Sequence, residues 1–249
     1  MTSTVKSLPA TPSRLAAEVA AATRLLVMEG ILDYSGHISA RVPGRDAFLI
    51  QIGAESRAEL SPGSVLVVDT DGKVIEGKGK PPSETPIHTE ILKARPDVNA
   101  VLHCHMDLAI AFTMMEGVKL LPMRSRAIRW WSGIPTDPDP SHIKLVSQGQ
   151  ALARTLGPHN AALMRAHGLV LVAESVPALL VDAIHFKENA KALMEVLQAG
   201  AKPIPLSKEE MEQINRHEIR DWHVAKLWNY YVRKGMSAGL VPTDWRLVA

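Results

Sequence analysis

Residues 99–105 read NAVLHCH, a short apolar run that ends in two histidines two positions apart. Its length and apolar character predict a buried β-strand. Side chains alternate between the two faces of a strand, so His103 and His105 should point the same way, with Cβ atoms about 7 Å apart. Cys104 should point to the other face as a small buried hydrophobe. Two such imidazoles can converge on one metal ion, although a pair of structural histidines would give the same pattern.

Predicted helices and strands alternate on both sides of this run. We expect helices over 11–30, 85–95, 108–115, 142–156 (capped by Ser141), 175–198 and 207–235, where Ser207 and Glu210 form a capping box. We expect strands over 38–42, 47–52, 64–77 (a hairpin), 99–105 and 161–173, and a mixture of strand and loop over 120–140. This order predicts one layered α/β domain over residues 11–249, preceded by a flexible tail over residues 1–10.

The composition excludes several classes of protein. The chain has 249 residues, of which 46% are hydrophobic, and its 28 basic residues nearly balance its 26 acidic ones. This balance argues against dominant disorder, nucleic-acid binding and membrane-surface binding. The single cysteine excludes an intramolecular disulfide framework. The polar N-terminus is unlike a signal peptide, and no run of about 18 apolar residues suggests a membrane span. We therefore expect a soluble, cytoplasmic protein.

Two more residues strengthen the case for a metal site. His167 lies in RAHGLVLV, at a break between two apolar runs, and Gly168 after it permits close backbone approach. Glu84 lies in PPSETPIH at the start of a short helix, where a carboxylate is stabilised and can also act as a ligand or base. Taken alone, Glu84 reads as an ordinary helix-start acid. Three imidazoles and one carboxylate suit zinc, manganese or iron.

Four segments match one known family in order: LVMEGILDYSGHIS (26–39), GKGKPPSETPIHTEIL (77–92), RPDVNAVLHCH (95–105) and LMRAHGLVLVA (163–173). Over residues 12–235 the chain resembles the class II aldolase/adducin-like proteins, which include sugar-phosphate aldolases, epimerases and decarboxylases. The resemblance implies a three-layer α/β/α domain with a central, largely antiparallel sheet.

The same resemblance implies a metal centre and an assembly. His103, His105 and His167 would bind a divalent metal, zinc or manganese with iron and cobalt as alternatives. Glu84 stands where the family has an acidic residue that acts as metal ligand, as acid/base, or as both in turn. Members of the family are typically homotetramers whose active sites lie at subunit interfaces.

Departures from the family pattern indicate the substrate. His37 replaces the asparagine of the first phosphate loop, Gly53 lacks the hydroxyl neighbour of the second, and Pro82 replaces a serine of the third. Proline supplies neither a hydroxyl nor a backbone N–H. These changes argue against a sugar phosphate and leave His37 as a hydrogen-bond or proton donor. The candidate substrate-binding residues in these loops are Ser35, Gly36 and Ser83.

A basic segment and a C-terminal aromatic pair offer further candidates. Arg124, Arg126 and Arg129 could hold a carboxylate, since a guanidinium fork matches its two oxygens, although a solvated basic edge is an equal alternative. In an extended segment the first two would share a face. The family often brings a C-terminal tyrosine into a neighbour's site, so Tyr230 or Tyr231 is a candidate proton donor.

The sequence assigns no definite function to four other histidines. His88, one turn after Glu84, either supports that residue or packs locally. His142, His159 and His185 are expected to be surface or structural residues.

Three functional hypotheses follow. The favoured one is a metal-dependent decarboxylase that acts through a metal-stabilised enolate on a hydroxy-substituted di- or polycarboxylic acid. The family resemblance adds aromatic acids to this class, since relatives decarboxylate dihydroxyphthalate or hydroxypyridine-dicarboxylate compounds. Glu84, His37 and Tyr230 are its candidate catalytic residues. The alternative is a class II aldolase for a non-phosphorylated hydroxy-acid or hydroxy-ketone, since aldol cleavage also leaves an electron pair to be stabilised on oxygen. A non-catalytic, adducin-like interaction protein is the third, and the presence of Glu84 and the three histidines argues against it.

Overall fold

The computed structural model describes residues 12–248, and within this range one sheet of eight strands carries the fold. The strands are β1 (His37–Arg41), β2 (Ala47–Gln51), β3 (Val65–Asp69), β4 (Val74–Glu76), β5 (Ala100–Cys104), β6 (Thr136–Asp137), β7 (Ala161–Met164) and β8 (Gly168–Ala173). The helices are α1 (Pro12–Met28), α2 (Thr85–Ala94), α3 (Asp107–Ile110), α4 (Val146–Leu156), α5 (Val176–Gln198), α6 (Lys208–His217) and α7 (Arg220–Ser237). The expected N-terminal tail and the start of the first helix at Thr11 lie outside the described residues.

The sheet is almost entirely antiparallel, as expected. Its strand order is β4-β3-β2-β1-β5-β8-β7-β6, and only β6 pairs in parallel, with β7. The central strands β1 and β5 pair so that His37 lies opposite His103. This register places the candidate proton donor next to a candidate metal ligand.

Helices cover both faces of the sheet, which confirms the three-layer α/β/α arrangement. Ala100, Leu102 and Cys104 of β5 face the layer that contains α1 and α5. Val101 faces the opposite layer, where α2 and α4 pack, and His103 shares its face by alternation. Each fully buried Val, Leu or Ile side chain in these two layers contributes about 1.5–3 kcal/mol to the stability of the fold. The strand thus sends its histidines toward the layer in which Glu84 begins α2.

The segment over 120–140 differs from its expected extended form. Ser125–Trp130 is a 3₁₀ helix. Ala127 and Trp130 are buried three positions apart, which matches the three residues per turn of a 3₁₀ helix, and Trp130 packs edge-to-face on Phe186. The prediction that Arg124 and Arg126 share the face of an extended segment is therefore wrong.

The predicted start of the fourth helix at Ser141 is also wrong. The helix begins at Val146, and the side chain of Gln148 accepts hydrogen bonds from the N–H groups of Lys144 and Leu145. The N–H of Ile143 donates to Glu84.

The single C-terminal helix expected over 207–235 is divided in two, although its capping box at Ser207 and Glu210 is present. The break falls at Glu218 and Ile219. Glu218 pairs with Arg126, whereas Arg220 pairs with Glu174 and Asp182. The residues on the two sides of the break are thus held by different partners.

None of the helices formed by residues 12–248 is long and apolar enough to span a lipid bilayer.

Candidate metal centre

The three histidines of the predicted site are carried by neighbouring strands. His103 lies in β5 and His105 directly follows that strand. Strand β8 pairs antiparallel with both β5 and β7 and begins at Gly168, so the turn that carries His167 lies beside the end of β5. The chain reverses there through Ala166, whose φ of 53° is in the left-handed region. The strand register alone therefore brings the three imidazoles together.

Glu84, at the N-terminus of α2, completes the cluster. Its Oε1 accepts a hydrogen bond from the N–H of Ile143 at 2.9 Å and lies 3.5 Å from Nε2 of His167. Its Oε2 lies 3.4 Å from Nε2 of His103, which in turn is 3.2 Å from Nε2 of His105. One candidate ligand atom from each of the four residues lies within 4.8 Å of all the others.

Hydrogen bonds at the far side of two rings assign their tautomers. Nδ1 of His103 lies 3.1 Å from the carbonyl oxygen of Leu169, which can only accept, so Nδ1 carries the proton. The Ser35 hydroxyl donates a hydrogen bond to an Asp33 carboxylate oxygen at 2.9 Å. Ser35 Oγ is therefore the acceptor for Nδ1–H of His105, at 2.8 Å. Both Nε2 atoms are left with lone pairs that face the cluster.

This arrangement of donor atoms fits a divalent cation. Two lone pairs on His103 and His105 face each other at 3.2 Å, which is unfavourable without a cation between them. Both ring nitrogens of His167 are buried and lack a hydrogen-bond partner within residues 12–248. A cation bound by three imidazoles and the Glu84 carboxylate would satisfy the facing lone pairs of His103 and His105 and one ring nitrogen of His167, and the donor set suits zinc, manganese or iron.

The protonation states agree with a ligand role. Burial alone would raise the pKa of Glu84, but His103 and the N–H of Ile143 outweigh it and lower that pKa to about 2. Burial, followed by the nearby His103, lowers the pKa of His105 to about 4, and burial also lowers the pKa of His167. At neutral pH the Glu84 carboxylate is therefore ionised and the imidazoles of His105 and His167 are neutral, as cation binding requires.

His37 belongs to a buried hydrogen-bonded chain beside the cluster. Its Nδ1 lies 2.6 Å from Nε2 of His88, and Nδ1 of His88 lies 2.6 Å from Ser39 Oγ. The rings of His37 and His103 are 5.1 Å apart between centroids. Among the described residues, His88 thus hydrogen-bonds to His37 and Ser39, and it supports the candidate proton donor more directly than it supports Glu84.

The other residues expected to bind substrate in the loops lie next to the cluster. Ser35 is bonded to His105, as described above, and Gly36 packs so tightly that an added Cβ would lie 2.9 Å from the carbonyl oxygen of His103. Ser83 is exposed and directly precedes Glu84. Ser83 is therefore the one of the three whose side chain is open to solvent beside the cluster.

The structure does not bring the three candidate arginines into the cluster of their own chain. Arg129 pairs with Asp182 and Glu174, and Glu174 follows β8 at the end of the sheet opposite His167. Arg126 pairs with Glu218, and Arg124 lies 3.4 Å from Glu188. These contacts tie the 3₁₀ segment to α5 and to the junction of α6 and α7.

The candidate tyrosines lie on α7. Tyr230 is 60% exposed, and its ring stacks edge-to-face with that of Tyr231 at 5.0 Å. Among the described residues no hydrogen bond or ring contact joins Tyr230 to the cluster. Within one chain it is a surface residue.

Sequence reasoning missed two residues of the site. His142 was expected to be a surface or structural residue; it is indeed 69% exposed, but its Nδ1 lies 3.5 Å from Glu84 Oε1. Asp33, which orients Ser35, was not considered. Neither residue stands at an informative spacing from the other ligands in the sequence, so only the folded loops reveal them.

The candidate metal ligands lie in a part of the chain that matches a known protein family. Residues 17–194 match the model for the class II aldolase and adducin N-terminal domain. The chain belongs to this family. The matched range contains every member of the Glu84, His103, His105 and His167 cluster.

Similar proteins agree with this membership. A 3,4-dihydroxyphthalate decarboxylase from Arthrobacter keyseri is 29% identical over 212 residues, which are 79% of this chain and 84% of that protein. Among solved structures, an aldolase II superfamily protein from Pseudomonas syringae superposes with a TM-score of 0.79 at 24% identity, over 95% of this chain and 97% of that one. The L-fuculose 1-phosphate aldolase of Glaciozyma antarctica has the same TM-score at 19% identity, over 95% and 96%. The likeness to the solved structures shows the fold of a class II aldolase family member.

Proposed function

We propose that this protein is a divalent-metal-dependent carbon–carbon lyase that decarboxylates a hydroxy-substituted aromatic dicarboxylate. The observation that carries the proposal is the cluster of Glu84, His103, His105 and His167, in which unprotonated donor atoms converge at 3.2–3.5 Å. When bound there, a divalent metal supplies Lewis-acid stabilisation of the negative charge that develops on a substrate oxygen. The similarity to a 3,4-dihydroxyphthalate decarboxylase supports the choice of substrate class.

The roles of Glu84 and His37 follow from their surroundings. Decarboxylation breaks the bond to the carboxylate carbon, releases carbon dioxide and leaves an electron pair, so the substrate carbon must then receive a proton. Glu84 is a ligand in this scheme, because its pKa near 2 keeps it ionised. His37 carries the proton at Nε2 when Ser39 donates to His88 and His88 donates to Nδ1 of His37.

We further propose a cytoplasmic homotetramer formed by a single domain over residues 11–249, with sites at its interfaces. The exposed Tyr230 would then serve a neighbouring subunit as a second proton donor. Ser83 and Gly36 would contact the substrate and Ser35 would position His105. Arg124, Arg126 and Arg129 would act on a substrate only across such an interface, because each is paired away from its own cluster.

The test is a product assay on the metal-loaded protein. Incubation with 3,4-dihydroxyphthalate and related hydroxy-arene dicarboxylates should release one carbon dioxide per substrate consumed, and His103→Ala should abolish the release. Release of pyruvate or an aldehyde from a non-phosphorylated hydroxy-acid or hydroxy-ketone, without carbon dioxide, would instead support the aldolase alternative. Metal-loaded protein that releases neither would contradict both lyase proposals.

A further inference from the structure

A buried arginine that the proposed mechanism does not use lies between the segments that carry His37 and Glu84. Arg57 follows β2 and is only 7% exposed. Its Nε donates to the carbonyl oxygen of Gly36, the residue before His37, at 3.1 Å. Its Nη1 donates to the carbonyl oxygen of Gly53, at 2.8 Å.

The loop that contains Gly53 connects Arg57 to the approach to Glu84. Gly53 donates its N–H to the carbonyl oxygen of Lys80, and a Cβ added to Gly53 would lie 3.2 Å from Pro82 Cα. Pro82 stands two residues before Glu84. The guanidinium is therefore held at the margin of the cluster from two sides.

Among the described residues no carboxylate forms an ion pair with this cation. The charge of the exposed Asp33 raises the pKa of Arg57, but burial outweighs it and lowers that pKa. The acceptors of Arg57 are the carbonyl oxygens of Gly36, Gly53 and Glu55. A buried charge without a counter-ion is costly, so it favours an anionic ligand nearby.

One donor of the guanidinium is left for such a ligand. Of the five N–H groups, Nη1 and Nε use three on carbonyl oxygens. With the amide of Gln51 turned so that its oxygen faces Arg57, Nη2 uses one more, at 3.3 Å. The last N–H of Nη2 has no acceptor among the described residues.

We infer that Arg57 is the counter-ion for the second carboxylate of a dicarboxylate substrate and thereby selects dicarboxylates over monocarboxylates. The inference rests on the proposed function for its substrate class. The first carboxylate and the hydroxyl would lie at the cluster, while the second would face Nη2 of Arg57. Arg57 was not among the arginines expected from the sequence.

Phthalate and benzoate, which differ by one carboxylate, serve as unreactive probes. Calorimetric titration of the metal-loaded protein should show phthalate binding at least 10-fold more tightly than benzoate. Arg57→Gln should reduce this preference to about 2-fold or less while leaving benzoate affinity within about 2-fold of the original. A folded Arg57→Gln protein that keeps the full preference would overturn the inference, as would wild-type protein that binds neither probe.

Two further variants keep the result interpretable. Arg41 likewise donates only to carbonyl oxygens, but it lies at the other end of β1 from His37, so Arg41→Gln should lower stability and leave the preference intact. If Arg57→Gln does not fold, Arg57→Lys decides: it keeps the charge without the fork, and the phthalate preference should fall at least 3-fold. An unchanged preference in Arg57→Lys would contradict the inference.

Failure of the proposed function gives a different result. Wild-type protein that prefers phthalate through Arg57 but releases no carbon dioxide from any dihydroxyphthalate would reject decarboxylation and retain the dicarboxylate subsite.

Discussion

The lone pair of His105 that faces the cluster depends on Ser35, whose Oγ accepts a hydrogen bond from Nδ1–H of His105 while its own hydroxyl donates to Asp33. Ser35→Ala removes this acceptor, so the His105 ring can carry its proton on either Nδ1 or Nε2. We expect a metal affinity about 10–100-fold lower with little change in folding, measured by competition with a chelator. Ser64→Ala, at a serine remote from the site, is the matched control and should bind metal normally. Equal affinities for the two variants would refute the tautomer assignment.

The buried neutral histidines make the metal-free protein sensitive to acid. Burial lowers the pKa of His88 to about 3, whereas the unfolded chain has the ordinary value near 6.5. Between these values the unfolded state binds a proton that the folded state does not, so the free energy of unfolding should decrease as pH falls from 7 to 4.

Urea unfolding of the metal-free protein at several pH values measures this dependence. His88→Gln should reduce the slope, because one of the groups that gains a proton on unfolding is absent. A free energy of unfolding that is constant from pH 7 to 4 would show that these histidines are not held neutral in the fold.

At the scale of elements, the close approach of β5 and β8 requires glycine at position 168. A Cβ on Gly168 would lie 2.8 Å from the carbonyl oxygen of Cys104 and 2.9 Å from Cε1 of His103. Gly168→Ala should therefore displace the strand that carries two ligands, lowering both the melting temperature and the metal affinity. Gly63→Ala, where the nearest atom is 3.7 Å away, should do neither. Calorimetry with and without metal compares them, and an unchanged Gly168→Ala protein would disprove the close approach.

The start of α7 is fixed by an ion-pair network. Arg220 contacts both Glu174 and Asp182, of which Asp182 is nearly buried, whereas the pair of Arg126 with Glu218 lies on the surface. Arg220→Met should lower the free energy of unfolding by about 3 kcal/mol, because it removes a partner of a buried carboxylate. Arg126→Met should cost at most about 1 kcal/mol. Urea unfolding of the two variants measures both losses in the free energy of unfolding. Equal losses would contradict this ranking.

The sequence predicts helices and strands well where a local hydrophobic pattern determines them. It predicts them poorly where contacts with residues far away in the sequence determine them. The helix ending at Arg95 and the strand NAVLHCH follow from periodicity and appear as α2 and β5. The start of α4 at Val146 does not, and the hydrogen bond from the Ile143 N–H to Glu84, 59 positions earlier in the chain, has no local sequence signal either. The 3₁₀ helix over Ser125–Trp130 depends on the packing of Trp130 against α5, which no local pattern predicts.

At the scale of the whole molecule, the sequence likewise predicts one part of the site and leaves another part to be revealed by the fold. The family resemblance implied the ligands Glu84, His103, His105 and His167, and the fold brings these four together. Their orienting partners could not be predicted, since Asp33, Leu169 and His142 reach the cluster only through loop and strand geometry. The sequence does not indicate a binding role for Arg57, because an isolated arginine in a loop is usually exposed. Only the folded structure shows that it is buried and forms no ion pair with the described part of the chain.

The proposed lyase mechanism depends above all on one divalent cation held by these four residues. Elemental analysis of purified wild-type protein and His103→Ala, each incubated with zinc and with manganese and then freed of excess metal, tests it directly. We predict about one ion per chain in the wild-type protein and little or none in His103→Ala. Wild-type protein that retains no ion, or a variant that retains as much as the wild type, would contradict the metal centre and the lyase mechanism built on it.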